Sequence, residues 1–147
     1  MNRPYEIPGQ ARNFDIPMKK MIADYMENGF LENIVGMFRH DKSLYTTIGD
    51  MLADERSRVR LGAVALVEIL MTEDINNILK ALPGIVEALK NPHPTIRGDA
   101  AYLLGIIGHE NALPFLLEAV NDENELVREA AIESIEAIKS RDKSLLS

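Results

Sequence analysis

Three arginines occupy one repeated slot. Arg60, Arg97 and Arg128 each lie six residues after a turn-forming acid or amide, respectively Asp54, Asn91 and Asp122. A guanidinium is a planar fork of donors that meets a carboxylate in two parallel bonds. Two readings follow: a row of anion-binding arginines, or a structural ladder in which each guanidinium bonds the turn carboxylate or amide of its own or a neighbouring repeat. The acid or amide recurs with the arginine, which favours the ladder. The other reactive residue types form no constellation. His40, His93 and His109 all fall at predicted helix ends or turns, and the chain has no cysteine, which removes disulfides, zinc–thiolate sites and cysteine nucleophiles. No Gly-rich loop follows a predicted strand, and no Ser or Thr sits in a nucleophile elbow or beside a histidine. The many carboxylates lie on exposed helix faces with nothing apolar to raise a pKa. These residues predict a protein that is not an enzyme and carries no cofactor and no metal.

The elements that position the arginines repeat with them. Leu82-Pro83 recurs as Leu113-Pro114, Asn91 as Asp122, Ile96-Arg97 as Val127-Arg128, Ala100 as Ala131, Leu104 as Ile135 and Ile107 as Ile138, all at a spacing of 31 residues. A third copy lies 37 residues upstream, with Asp54, Val59-Arg60, Ala63, Val67 and Leu70 in the same slots. Its six extra residues fit in the connection Met71–Ala81. A repeat of this length is two helices with a sharp turn, and its stacking makes a solenoid. The predicted hairpins pair Ser43–Ala53 with Ser57–Met71, Asp74–Lys90 with Pro94–Ile107, and Glu110–Val120 with Asn124–Lys139. Asn91-Pro92-His93-Pro94 cannot continue a helix, and Pro83 predicts a kink near Ala81.

Upstream, residues 1–15 read as an extended arm, rich in Pro and Gly. Residues 16–41 read as a capping helical pair, 42–140 as three repeats and 141–147 as a tail. Asp15 is the expected cap of the first helix, whose stripe is Met21, Ile22, Tyr25 and Met26. Phe30, Leu31, Ile34, Val35 and Phe38 begin the second. Met18, Met21, Met26 and Met37 cluster here, and their helical spacing favours core packing over an adaptable peptide-binding surface.

The repeat resembles the HEAT family, and within it the HEAT-like repeats of phycobilisome-lyase type. The matching residues are Asp54 with Val59-Arg60, Asn91 with Ile96-Arg97 and Leu104-Gly105-Ile106-Ile107-Gly108, and Asp122 with Val127-Arg128. The resemblance implies an all-α, right-handed α-α superhelix of about four helical hairpins. HEAT-repeat deoxyhypusine hydroxylases bind two irons through His-Glu pairs at the start of second helices. This chain has Gly62, Asp99 and Ala130 there, and one His109-Glu110 pair in a loop, which cannot supply such a site.

In HEAT-like stacks the second helices line the concave surface. The core slots Val59, Ala63, Leu66, Val67 and Leu70 fall on one helical face. Leu61, Ala65 and Glu68 point the other way, with Gly98, Tyr102 and Gly105, then Glu129, Glu133 and Glu136, as their equivalents. The expected partner site joins Leu61, Ala65, Tyr102 and Ile106 to Asp99, Glu129, Glu133 and Glu136, with Gly98 and Gly105 leaving a bare patch around Tyr102.

Charge agrees with that choice of partner. The net charge is −7, and residues 1–47 balance six acids against six bases, so the excess lies entirely from Ile48 onward. Such a surface repels phosphates and anionic lipid. Apolar residues make up 46% of the chain, but the longest unbroken runs, such as Ala63–Val67, are far short of the roughly 20 residues that span a bilayer. No basic region followed by an apolar one opens the chain. The expectation is a cytoplasmic, non-enzymatic scaffold or adaptor, monomer or weak homodimer. Its partner is a protein segment with a basic or mixed basic and apolar surface, and not nucleic acid or membrane. An accessory or regulatory subunit of a chromophore-lyase-like enzyme is the alternative, and a DNA-binding HEAT-like protein a third reading.

Overall fold

The computed structural model describes the backbone of residues 16–146 and the side chains of residues 17–141. The expected arm, 1–15, and the expected cap Asp15 lie outside the described residues. Nine α-helices follow in chain order among the described residues: α1 (Ile16–Glu27), α2 (Leu31–His40), α3 (Ile48–Leu52), α4 (Ser57–Glu73), α5 (Ile75–Ile78), α6 (Leu82–Ala88), α7 (Pro94–Ile107), α8 (Leu113–Ala119) and α9 (Glu125–Leu146). Three short 3₁₀ segments, Lys42–Thr47, Leu79–Ala81 and Glu110–Ala112, lead into α3, α6 and α8. Among the described residues there is no strand. The fold is an all-α helical-repeat solenoid.

Local chemistry sets these boundaries. Pro94 occupies the first turn of α7, where its missing N–H costs nothing, and Gly108 ends the helix in the left-handed region at φ 72°. The first helix of the first repeat, expected as one α-helix from Ser43, opens as 3₁₀ instead. Asp41 caps Ser43, and the hydroxyls of Thr46 and Thr47 donate to the carbonyls of Ser43 and Leu44, three residues back. That back-bonding competes with the α-helical pattern. The six extra residues of the connection Met71–Ala81 are helical. They extend α4 to Glu73 and form α5, which Asp74 caps at Asn77. The expected kink before Pro83 is the 3₁₀ turn Leu79–Ala81. At the other end α9 continues to Leu146, beyond the expected Lys139, because Ser140-Arg141-Asp142-Lys143 contains neither Gly nor Pro to stop it. Arg141 donates to the carbonyl of Ile106 at 3.0 Å and ties this extension to α7.

One core runs the length of the stack. Val59, Ala63, Leu66, Val67 and Leu70 of α4 are each 0% exposed, and the equivalent seam residues Ile96 and Val127 are 2% and 1% exposed. Each such large side chain removed from water contributes roughly 1.5–3 kcal/mol. Residues of α1 and α2 close the N-terminal side against α4. The buried face of α1 is Met18, Ile22, Ala23 and Met26, which shares Ile22 and Met26 with the expected stripe. Tyr25 is left exposed against the ring of Phe30, whose centroid is 5.7 Å away. The methionines are packed, with Met21 and Met37 lying half-buried against the core. The side chain of Met26 fills the space where Gly62 of α4 lacks a Cβ.

Candidate functional site

Each hairpin turn of the repeats is built the same way. The side chains of Asp54, Asn91 and Asp122 accept from the backbone N–H two residues on, at 2.8, 2.9 and 2.8 Å. This bond forms the turn and uses the side-chain oxygen. The arginine six residues later then donates to the backbone carbonyl of that same residue: Arg60 to Asp54 at 2.7 Å, Arg97 to Asn91 at 3.0 Å and Arg128 to Asp122 at 2.7 Å. The bond common to all three is to the turn's backbone, not to its side chain. Arg97 alone among them also holds a turn carboxylate. Its Nε and Nη2 meet Asp122 of the next repeat at 2.8 and 3.0 Å, with side chains 10% and 13% exposed. Each group holds the other in its charged form, and the Asp122 carboxyl is lowered. Asp54 is instead bonded by Arg56, which also reaches Asp24 of α1 at 2.9 Å, tying the capping pair to the first repeat. The side chains of all six residues are thus engaged with their own turns, and those of Arg97 and Asp122 also with each other.

Most of the expected partner residues lie on the open side of the second helices. Leu61 is 67% exposed and Tyr102 45% exposed. Ala65, Asp99 and Ile106 are half-buried, while Glu129 and Glu133 are exposed. Ala65, Tyr102 and Glu133 share one register position on α4, α7 and α9, so they form a row across the stack. Leu126, 72% exposed, joins this face, and the sequence reading did not single it out. It sits at the position of Arg58 and Thr95, whose polarity masked the slot. Asp99 makes no hydrogen bond to a described residue. Burial raises its carboxyl, and the charge of Arg60 partly opposes that shift. Beyond its two carbonyl bonds Arg60 borders a shallow cavity of about 420 Å³ lined by Ala53, Glu55, His93, Thr95 and Ile96.

Two of the residues placed on this ridge face elsewhere. Gly105 is buried beneath α9: a Cβ there would lie 2.6 Å from the Cβ and 2.8 Å from the Cα of Ser134. Ser134 donates to the carbonyl of Ala101 at 2.6 Å in the same contact. The glycine lets two helices touch, and the bare patch around Tyr102 does not exist on that side. Glu136 stands at the Gly105 position of α9, so it points away from α7, toward a side of α9 that no described residue covers. It does not belong to the row with Tyr102. The helical period separates core from exterior, but it does not separate a solvent-facing exterior from one that meets the next repeat.

A family model for HEAT repeats matches residues 47–136. The chain belongs to the HEAT repeat family. Its match begins within the first repeat and ends within α9, so the family covers the turns, the arginine slots and the open face. A curated relative, the deoxyhypusine hydroxylase of Aspergillus clavatus, is 30% identical over 73 residues, which are 48% of this chain and 22% of that protein. The HEAT chain thus spans about a fifth of the relative's length. Nδ1 of His109 accepts from the backbone N–H of Asn111 at 3.1 Å, and among the described residues no three His, Asp or Glu side chains converge. No described helix is long and apolar enough to cross a membrane.

Proposed function

We propose that this HEAT protein is a non-enzymatic scaffold or adaptor that grips a protein segment along the open face of its second helices. The observation that carries the reading is the row Ala65–Tyr102–Glu133 with its exposed neighbours Leu61 and Leu126. Leu61 of α4, Tyr102 of α7 and Leu126 of α9 stand at different register positions, but each second helix leaves one large apolar side chain exposed on the same side, and such grouped exposure supports a docking surface. Tyr102 is the anchor, with Ile106 at its base. Asp99, Glu129 and Glu133 select a segment that alternates basic and apolar residues. The same acids oppose nucleic acid and anionic membrane. A reducing cytoplasm suits a chain without cysteine.

The name of the fungal relative raises hydroxylase chemistry. The positions that carry His-Glu pairs in such enzymes hold Gly62, Asp99 and Ala130 here, so this chain's similarity to that relative is assigned to shared repeats. An accessory subunit of a lyase-like enzyme would use the same open face, and its partner would then be the catalytic chain.

Selection from a random peptide library tests the reading. Recovered segments are expected to be rich in Lys or Arg beside an apolar anchor. Tyr102→Ala, and separately Glu129→Lys with Glu133→Lys, should each weaken binding at least about tenfold without unfolding the protein. Acidic recovered segments, or binding unchanged in both variants, would refute it.

A further inference from the structure

The side of α7 that receives α9 includes Arg97, Gly98, Ala101 and Gly105. On α9 the same register reads Arg128, Glu129, Ile132 and Glu136, and among the described residues nothing covers it. Ala101 is 0% exposed but Ile132 is 43% exposed. Glu125, Glu129, Glu136 and Lys139 are also exposed. Another repeat cannot stack here at the α7–α9 distance, because Glu136 fills the position where even a methyl group on Gly105 would strike Ser134. Nor does Arg128 find the carboxylate that Arg97 finds in Asp122. It bonds the Asp122 carbonyl through Nη1, and its Nε and Nη2 have no partner among the described residues.

The charges on this face are arranged so that the face complements itself. Counting outward from Ile132, Arg128 and Glu125 lie four and seven residues before it, and Glu136 and Lys139 four and seven after it. Residues at these offsets share one side of a helix. Turned end for end, the series opposes Arg128 to Glu136 and Glu125 to Lys139, twice each, around an Ile132–Ile132 contact. We propose that the outer face of α9 binds a second copy of this chain, antiparallel, about a two-fold axis at Ile132. Such an isologous contact closes on itself and uses each charge once on both copies. Glu129 and Glu133 lie toward the groove side, outside the paired charges of this contact. The proposal stands on Glu125, Arg128, Ile132, Glu136 and Lys139, none of which is in the peptide row, and does not depend on that row.

Sedimentation of the full chain, from micromolar to near-millimolar concentration, reads the outcome. The wild type should pass from monomer to dimer and no further. Glu125→Lys and Lys139→Glu each set like charges opposite one another twice, and each should weaken dimerisation about tenfold or more. An equimolar mixture of these two variants should dimerise again, because in the mixed pair opposite charges face each other at both contacts. Ile132→Asp should remain monomeric. A wild type monomeric throughout, a dimer indifferent to all three substitutions, a mixture that fails to recover, or an open series of higher masses from head-to-tail stacking would each overturn the proposal.

Discussion

Replacing the repeated arginines one at a time should give unequal losses, in an order the structure sets. Arg97 makes four bonds: two to Asp122 at 2.8 and 3.0 Å, and two to the carbonyls of Asn91 and Pro92, both at 3.0 Å. Arg60 makes two, to the carbonyls of Asp54 and Glu55, and Arg128 makes one. Arg97→Ala strands the Asp122 carboxylate, whose side chain is only 13% exposed. Breaking a buried pair from one side costs roughly 3–5 kcal/mol, and the water that still reaches this one places it near the lower end, about 3 kcal/mol. Arg60→Ala and Arg128→Ala lose bonds to neutral carbonyls at partly wet positions, about 1–2 and about 1 kcal/mol.

Urea denaturation followed by helical circular dichroism measures these losses, and a cycle with Asp122→Ala isolates the pairwise part. In heating, Arg97→Ala should lower Tm by roughly 6–12 °C. The pair also carries a pH signature. Arg97 holds the Asp122 carboxyl below its ordinary value, so the folded state binds that proton less readily than the unfolded chain does. The resulting stability is present above about pH 4 and fades as pH falls through the folded pKa. The gap between wild type and Arg97→Ala should therefore shrink in acid. An Arg97→Ala loss no larger than that of Arg128→Ala, or a gap that stays constant into acid, would refute the assignment.

Three further outcomes follow. Gly105→Ala should destabilise by about 1–3 kcal/mol through overpacking against Ser134, although alanine is the better helix former. Gly36→Ala on α2, where a Cβ meets nothing within 4 Å, should instead stabilise by about 0.5–1 kcal/mol, and matched thermal melts compare the two. Asp99→Asn should raise Tm at neutral pH, because burial lifts this carboxyl and the stability it lends is lost as pH rises through its folded pKa. The gain should vanish in acid, below the carboxylate range, and no gain at neutral pH would contradict the burial argument.

The hairpin order was legible because its signals are local and chemical. Pro94 and Gly108 bracket α7, and the Asx residue with its arginine marks every repeat turn. The core slots followed from helical period alone. Other features were not legible, for physical reasons. The 3₁₀ openings depend on hydroxyl back-bonding by Thr46 and Thr47, which leaves the apolar pattern unchanged. The stripe of α1 was legible at Met21, Ile22 and Met26, which pack in or against the core, but not at Tyr25, which stays exposed while Met18 and Ala23 are buried. A signal for the stacking side was nonetheless present. Gly98, Ala101 and Gly105 are small at spacings of three and four, the mark of close helix approach, and α9 replaces them with Glu129, Ile132 and Glu136.

That replacement gives the acidity of α9 two separate origins. Glu133 stands in the row with Tyr102 and Ala65, where its charge bears on what the open face can bind. Glu136 stands where a glycine would admit another helix, and its charge bears on what may stack there. Reversing both together would mix two surfaces in one variant. Separately, Tyr102→Ala with Glu133→Lys should abolish peptide binding and leave the mass–concentration curve untouched. Ile132→Asp with Glu136→Lys should abolish dimers and leave peptide affinity within about twofold, since sites without shared partners act nearly additively. Loss of both properties in either variant would mean that one surface, not two, governs recognition by this chain.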